Sequence, residues 1–196
     1  MPATKDVLRN DLAVRQAEAG MNIYIIGYRC TGKSSVGKLL AAKLNMKFTD
    51  TDVELVNRSQ RSISEIVETS GWEEFRRIEK NIIREFSALE KQIVATGGGA
   101  VLDGDNVKYM KETGIVIWLR ATPLTIKGRM EKDPGTKNFR PALTGKGTIG
   151  EIDDILQARN HIYEEAMDFY IDTDNLGISD LCRDIIKLIE TAEEKP

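Results

Sequence analysis

Residues 22–44 read NIYIIGYRCTGKSSVGKLLAAKL, and the way this stretch folds decides how the rest of the chain is read. The run 22–26 suits a strand buried on both faces, and Gly27 ends it. Val36, Leu39, Leu40 and Leu44 then recur at helical spacing, so an amphipathic helix is predicted over 33–44. Between the two lies Gly27-Tyr28-Arg29-Cys30-Thr31-Gly32-Lys33-Ser34, an ungapped GxxxxGKS. In that context backbone N–H groups can wrap a phosphate and the helix N-terminus adds partial positive charge. Lys33 reaches the outer phosphates and Ser34 offers its hydroxyl to magnesium. A chance match in a turn would not have strand and helix at the correct ends. The pattern implies ATP or GTP with Mg2+, gripped by Gly27, Cys30, Thr31, Gly32, Lys33, Ser34 and Ser35.

Outward from this loop, strand and helix alternate. Strands are predicted over 46–49, 92–95, 115–119 and 169–171, with helices over 63–68, 105–111, 149–167 and 179–190. A longer helix has Phe75, Ile78, Ile82, Phe86 and Leu89 as its inward stripe, and another is opened by Thr122 as cap with Pro123 in its first turn. Five short strands separated by helices specify an α/β fold, a parallel sheet covered on both faces. Residues 1–20 read as a peripheral leader, helical or flexible, before one domain over 21–196. Residues 133–148, punctuated by Pro134, Gly135, Pro141, Gly145 and Gly147, read as a mobile lid.

Composition narrows the function classes. The chain has 196 residues, 28 Lys plus Arg against 31 Asp plus Glu, and a net charge of −3, so no global field attracts nucleic acid. Positive charge is local: Lys127, Arg129, Lys132, Lys137, Arg140 and Lys146 lie near only Glu131 and Asp133. No run is long and apolar enough for a membrane helix, and the N-terminus lacks a secretory core. Two cysteines, Cys30 and Cys182, read as free thiols of a reducing compartment, and the expected location is the cytoplasm. No long apolar stripe is left over, which points to a monomer.

Further residues carry chemistry. Asp50 and Asp52 end the second strand; two apart in extended chain, both would face the ligand-binding edge of the sheet, one toward a metal's water shell and one toward an acceptor hydroxyl. Gly97-Gly98-Gly99 after the third strand would expose backbone donors to a small ligand. Arg159 falls on an apolar helix stripe, where a guanidinium needs an anion. Arg76 has Glu79 one turn away to orient it, although such a pair is as often a plain surface ion pair. Arg140 sits in the basic segment with Arg129 at its entrance, as a lid cation for a transferring phosphoryl group would. His161 reads as a surface residue, and Trp72 and Trp118 read as packing residues.

Together GxxxxGKS, Phe48-Thr49-Asp50-Thr51-Asp52, Phe75-Arg76-Arg77-Ile78-Glu79, Thr96-Gly97-Gly98-Gly99, Phe139-Arg140-Pro141-Ala142-Leu143 and Ala158-Arg159-Asn160-His161-Ile162-Tyr163 resemble the shikimate kinases from about Met21 to Glu190. The chain departs from that family in lacking the proline usual between Arg159 and Tyr163, and in Trp72, where Glu usually follows Gly71. The resemblance implies a three-layer phosphate-loop kinase fold with strand order 2-3-1-4-5, a substrate-binding segment near 50–80 and a lid. It also implies transfer of the ATP γ-phosphoryl group to the 3-hydroxyl of shikimate, within chorismate and aromatic amino acid synthesis. It implies catalytic roles for Lys33, Asp52 and Arg140, magnesium at Ser34 and Asp50, and the shikimate carboxylate on Arg76 and Arg159. Gly98 and Gly99 would contact the ring substituents, Glu79 would hold Arg76, and Arg129 and the loop after Asp172 would border the adenine. Two other readings remain open: a kinase acting on gluconate or a nucleotide, and a silent nucleotide-binding domain.

Overall fold

The computed structural model describes residues 20–132 and 147–193. β1 (Asn22–Ile26), β2 (Lys47–Asp50), β3 (Gln92–Ala95), β4 (Gly114–Arg120) and β5 (Phe169–Asp172) form an all-parallel sheet in the order β2-β3-β1-β4-β5, as the resemblance implies. The helices are α1 (Lys33–Leu44), α2 (Thr51–Ser59), α3 (Ile63–Ser87), α4 (Gly104–Thr113), α5 (Pro123–Lys132), a single turn α6 (Gly147–Gly150), α7 (Ile152–Ala166) and α8 (Ile178–Glu193).

β1 lies at the centre, with Ile23 paired to Ile93 on one side and Ile115 on the other, so all its residues are buried. Alternate side chains point to opposite faces. Ile23 and Ile25 pack with Val36, Leu40, Leu181 and Ile185 beneath α1 and α8, while Tyr24 and Ile26 pack with Ile83, Met110 and Tyr163 beneath α3, α4 and α7. At the N-terminal end of the sheet Asn22 donates to the Leu89 carbonyl at 2.7 Å and accepts from Gln92 N at 2.9 Å, which closes the end away from the site. The loops that follow β1, β2, β3 and β5 therefore gather at the C-terminal end, where open parallel sheets bind ligands.

Three expected boundaries differ. The predicted helices over 63–68 and beyond are one element, opened by a Ser62/Glu65 capping box and kinked at Gly71, whose φ of 81° and ψ of 170° interrupt the helix. Leu89, expected on the inward stripe, lies past the end of α3 and is 47% exposed; Glu79 and Ile83 occupy the buried face instead. The predicted helix over 149–167 is divided into α6 and α7 at Glu151, a fully buried residue that pairs with Arg29 of the phosphate loop at 3.6 Å. Nearly all of the expected leader and of the expected lid, Arg140 included, lies outside the described residues. Among those residues no helix is long and apolar enough to cross a membrane.

Candidate active site

The phosphate loop is wound by left-handed backbone at Gly27 (φ 139°), Cys30 (φ 61°) and Gly32 (φ 98°). A Cβ on Gly27 would overlap the Leu119 carbonyl, so only glycine fits where the loop leaves β1 and passes β4. Gly32 caps α1 without any side-chain acceptor, and no acid stands in the first turn, so the helix N-terminus is left for an anion. Lys33 Nζ donates to the Tyr28 carbonyl at 2.8 Å and Thr31 Oγ1 to the same oxygen at 2.9 Å, folding the lysine over the loop.

Asp50 closes β2 and caps α2, its Oδ1 accepting from the N–H groups of Asp52 (3.1 Å) and Val53 (3.3 Å). Its other oxygen, Oδ2, accepts from Ser34 Oγ at 2.5 Å. Asp52 is not in extended chain, as the sequence reading had it, but in the first turn of α2. The turn begins at once because Asp50 itself supplies the cap. Both carboxylates still face one cavity. Burial, with the carboxylates of Asp50 and Glu79 close by, pushes Asp52 up to about 7 against the pull of Lys33 and Arg76.

Beside Asp52, Arg76 Nη1 donates to Glu79 Oε2 at 2.5 Å, and Glu79 is 1% exposed. Burial pushes the Glu79 carboxyl up while Arg76 draws it down. Its Oε1 meets no donor among the described residues and lies against Gly97, where an added Cβ would come within 2.5 Å of it and 2.8 Å of Asp52 Oδ1. A Cβ on Gly99 would overlap the Arg76 guanidinium. Arg159 Nη1 donates to the Gly98 carbonyl at 3.4 Å, and Tyr163 donates its hydroxyl to the same oxygen. The two guanidiniums thus meet neighbouring residues of the glycine run, Arg159 at Gly98 and Arg76 at Gly99. At the far end of the cavity Arg129 bonds Thr173, Nη1 to Oγ1 at 2.9 Å and Nη2 to the carbonyl at 2.6 Å, beside Leu176 and Ile178.

The cavity, of about 490 Å³, joins these parts. Every predicted site residue among those described lines it except Gly27, which lies beneath the loop against Leu119. Ser34 and Asp50 supply two hard oxygen donors to the phosphate edge, and no group of three His, Cys, Asp or Glu among the described residues forms a metal cage. This donor set suits an ion held largely by phosphate oxygens and water, as Mg2+ is in kinases. The sequence reading missed Trp72 as part of the site: it lines the cavity, with the Arg76 guanidinium 5.7 Å from its ring centre and Phe75 edge-on at 5.6 Å. Its position one turn before Arg76 was the available signal. His161 is exposed and Trp118 buried, as read.

The family model described as Shikimate kinase matches residues 29–190. The chain belongs to the shikimate kinase family. A shikimate kinase of Syntrophus aciditrophicus is 37% identical over 178 residues, covering 87% of this chain and 91% of its own. Shikimate kinase 2 of Yersinia pestis (strain Pestoides F) is 39% identical over 150 residues, or 76% and 85% of the two chains. The solved shikimate kinase from Acinetobacter baumannii in complex with shikimate has 29% identity and a TM-score of 0.84, covering 93% of this chain and 99% of its own. Membership makes the chain a kinase that takes ATP as co-substrate and phosphorylates shikimate.

Proposed function

We propose that the cavity transfers the γ-phosphoryl group of ATP to the 3-hydroxyl of shikimate, giving shikimate 3-phosphate and ADP, with the residues divided as follows. The observation that carries this reading is the pair of guanidiniums, Arg76 and Arg159, set about Gly98–Gly99 in the cavity that Lys33 and Asp52 also line. Two guanidinium forks suit one carboxylate, and fixing it there turns the ring hydroxyls toward Asp52. Asp52 accepts the 3-hydroxyl proton, and its pKa near neutrality suits that task. A secondary alcohol is a poor nucleophile at neutral pH, so most of the gain comes from alignment and from spreading developing charge over Lys33 and Arg140. Magnesium, held through Ser34 and Asp50, would neutralise charge between the outer phosphates. Arg129 and the Leu176–Ile178 segment would border the adenine.

We further take the chain to act as a monomer in the cytoplasm, without nucleic-acid or membrane partners; only two cysteines in a chain of 196 residues suit a reducing compartment. The test is ADP release from magnesium-ATP by the purified protein with and without shikimate, alongside Asp52→Asn and Arg159→Ala. Strong stimulation by shikimate that both substitutions abolish is expected. Turnover independent of shikimate, or greater with gluconate or a nucleoside monophosphate, would overturn the assignment of the acceptor.

A further inference from the structure

Tyr163 has no part in the scheme above, yet it makes a hydrogen bond that bears directly on the site. It is 1% exposed, and its ring stacks on Trp118 of β4 with centroids 5.6 Å apart and planes inclined by 19°. That seat aims the hydroxyl at the Gly98 carbonyl, to which it donates a short hydrogen bond. Arg159, one turn earlier on α7, donates to the same oxygen at the longer distance of 3.4 Å. Burial pushes the Tyr163 phenol up to about 12, so it stays a neutral donor throughout the working pH range.

We propose that Tyr163 is a positioning residue for the acceptor site, acting through the Gly98–Gly99 peptide and through Arg159. The inference rests on the reading of the cavity as a shikimate site. Two consequences of the one hydrogen bond support it. A trans peptide is planar, with its C=O and N–H pointing opposite ways, and the described chain has no cis bond; holding the Gly98 oxygen toward α7 therefore turns the Gly99 N–H away from α7. Neither Gly98 N–H nor Gly99 N–H donates to an acceptor among the described residues, and the peptide lies between Arg159 and Arg76. The Gly99 N–H is thus a fixed third donor beside the two guanidiniums for an anionic group. The second consequence concerns the guanidinium. With the phenol satisfying the half-buried carbonyl, Arg159 keeps only a long contact to it and its fork remains for the substrate. Without the phenol, Arg159 is the nearest remaining donor to that carbonyl, and a half-buried carbonyl that loses one donor draws in the next.

On its other side Gly98 neighbours the phosphate loop: a Cβ placed on it would lie in ordinary contact, at 3.4 Å, with both the Gly27 carbonyl and the Arg29 amide nitrogen. Tyr163 is the tether that registers the acceptor end of the cavity against the nucleotide end.

The test is steady-state kinetics of Tyr163→Phe and of Trp118→Leu beside the parent, with shikimate and ATP varied in turn and melting temperatures recorded. Phenylalanine keeps the stack and removes the donor; leucine loosens the stack and keeps the donor. For Tyr163→Phe the expected result is a rise in shikimate KM of about fivefold or more, from loss of one hydrogen bond and misdirection of two donors, with ATP KM within about twofold of the parent. Trp118→Leu should lower the melting temperature more than Tyr163→Phe while raising shikimate KM less. In an Arg159→Ala background Tyr163→Phe should add little further, since the route through the arginine is already gone. A Tyr163→Phe enzyme with parental shikimate KM would overturn the inference and leave the assignment of the reaction standing, as would equal KM rises in both variants, the mark of a merely structural residue. A parent that does not phosphorylate shikimate would overturn both.

Discussion

Ser34 Oγ and Asp50 Oδ2 are joined by a 2.5 Å hydrogen bond that ties the first turn of α1 to the end of β2. These are the two groups assigned to the magnesium ion, and Asp50 is at the same time the N-cap of α2. Asparagine caps helices as well as aspartate but carries no charge. Asp50→Asn is therefore expected to leave the melting temperature nearly unchanged while shifting the magnesium concentration for half-maximal activity upward by about tenfold or more. A magnesium titration of ADP release at fixed ATP checks it. An unchanged titration would remove Asp50 from the ion's surroundings.

Asp52 links activity and stability through pH. Its carboxyl is pushed from 3.8 in the unfolded chain up to about 7, so ionising it costs the folded protein more than the unfolded one. The corresponding stabilisation is complete below the unfolded value and is lost as pH rises through about 7. Activity has the opposite demand, because a base must be ionised. We expect kcat/KM for shikimate to fall as pH drops below about 7, and Asp52→Asn to lower kcat by about a hundredfold or more. The same variant, free of ligand, should melt above the parent at pH 8, with the difference shrinking as pH falls and vanishing only below the unfolded value of 3.8. Melting curves across that range, beside the rate profile, test both signs.

Glu79 contributes to that pKa as well as holding Arg76. Glu79→Gln removes a like charge near Asp52, and the acidic limb of the kcat/KM profile should move to lower pH. Shikimate KM should rise in parallel, because a neutral amide orients Arg76 less firmly than a carboxylate. A profile that stays in place would show that Glu79 acts on Arg76 alone.

Gly99→Ala separates space from backbone strain. Gly99 has φ of −114°, which alanine adopts freely, but its Cβ would overlap the Arg76 guanidinium. The guanidinium is the end of a flexible side chain and can move, so the fold should hold while shikimate KM rises by about tenfold. Gly27→Ala meets the rigid Leu119 carbonyl at φ 139° instead, and should lower the melting temperature sharply. Thermal melts and shikimate titrations of the two variants give opposite patterns.

What could be read from the chain followed how local each feature is. The phosphate loop, the five strands and the helix cap at Thr122 rest on neighbouring residues, and each lies where the sequence reading puts it, within a few residues at the boundaries. Arg76, Glu79, Arg159 and the glycine run were also legible as separate motifs. Their mutual arrangement was not, since Gly99 meets Arg76 across 23 positions of chain and Gly98 meets Tyr163 across 65. The expectation of extended chain at Asp52 carries the alternation two residues past the end of β2 at Asp50; the capping bond of Asp50 turns the chain first. Trp72 reads as packing from the sequence alone, since an aromatic residue at helical spacing looks the same whether it covers a core or a guanidinium. Glu151 gave no sign of its burial, because its partner Arg29 lies in another loop.

The central place of β1 also governs the order in which the protein can be assembled. β1 pairs only with β3 and β4, so Ile23 has no strand beside it until residue 93 is available and its second neighbour waits for residue 115. A nascent chain that has just exposed the phosphate loop therefore holds a naked apolar strand, with α1 as its nearest cover. Such long-range parallel pairing is slow to form. The segment that binds nucleotide leaves the ribosome before either strand that flanks it and is among the last to take its final shape.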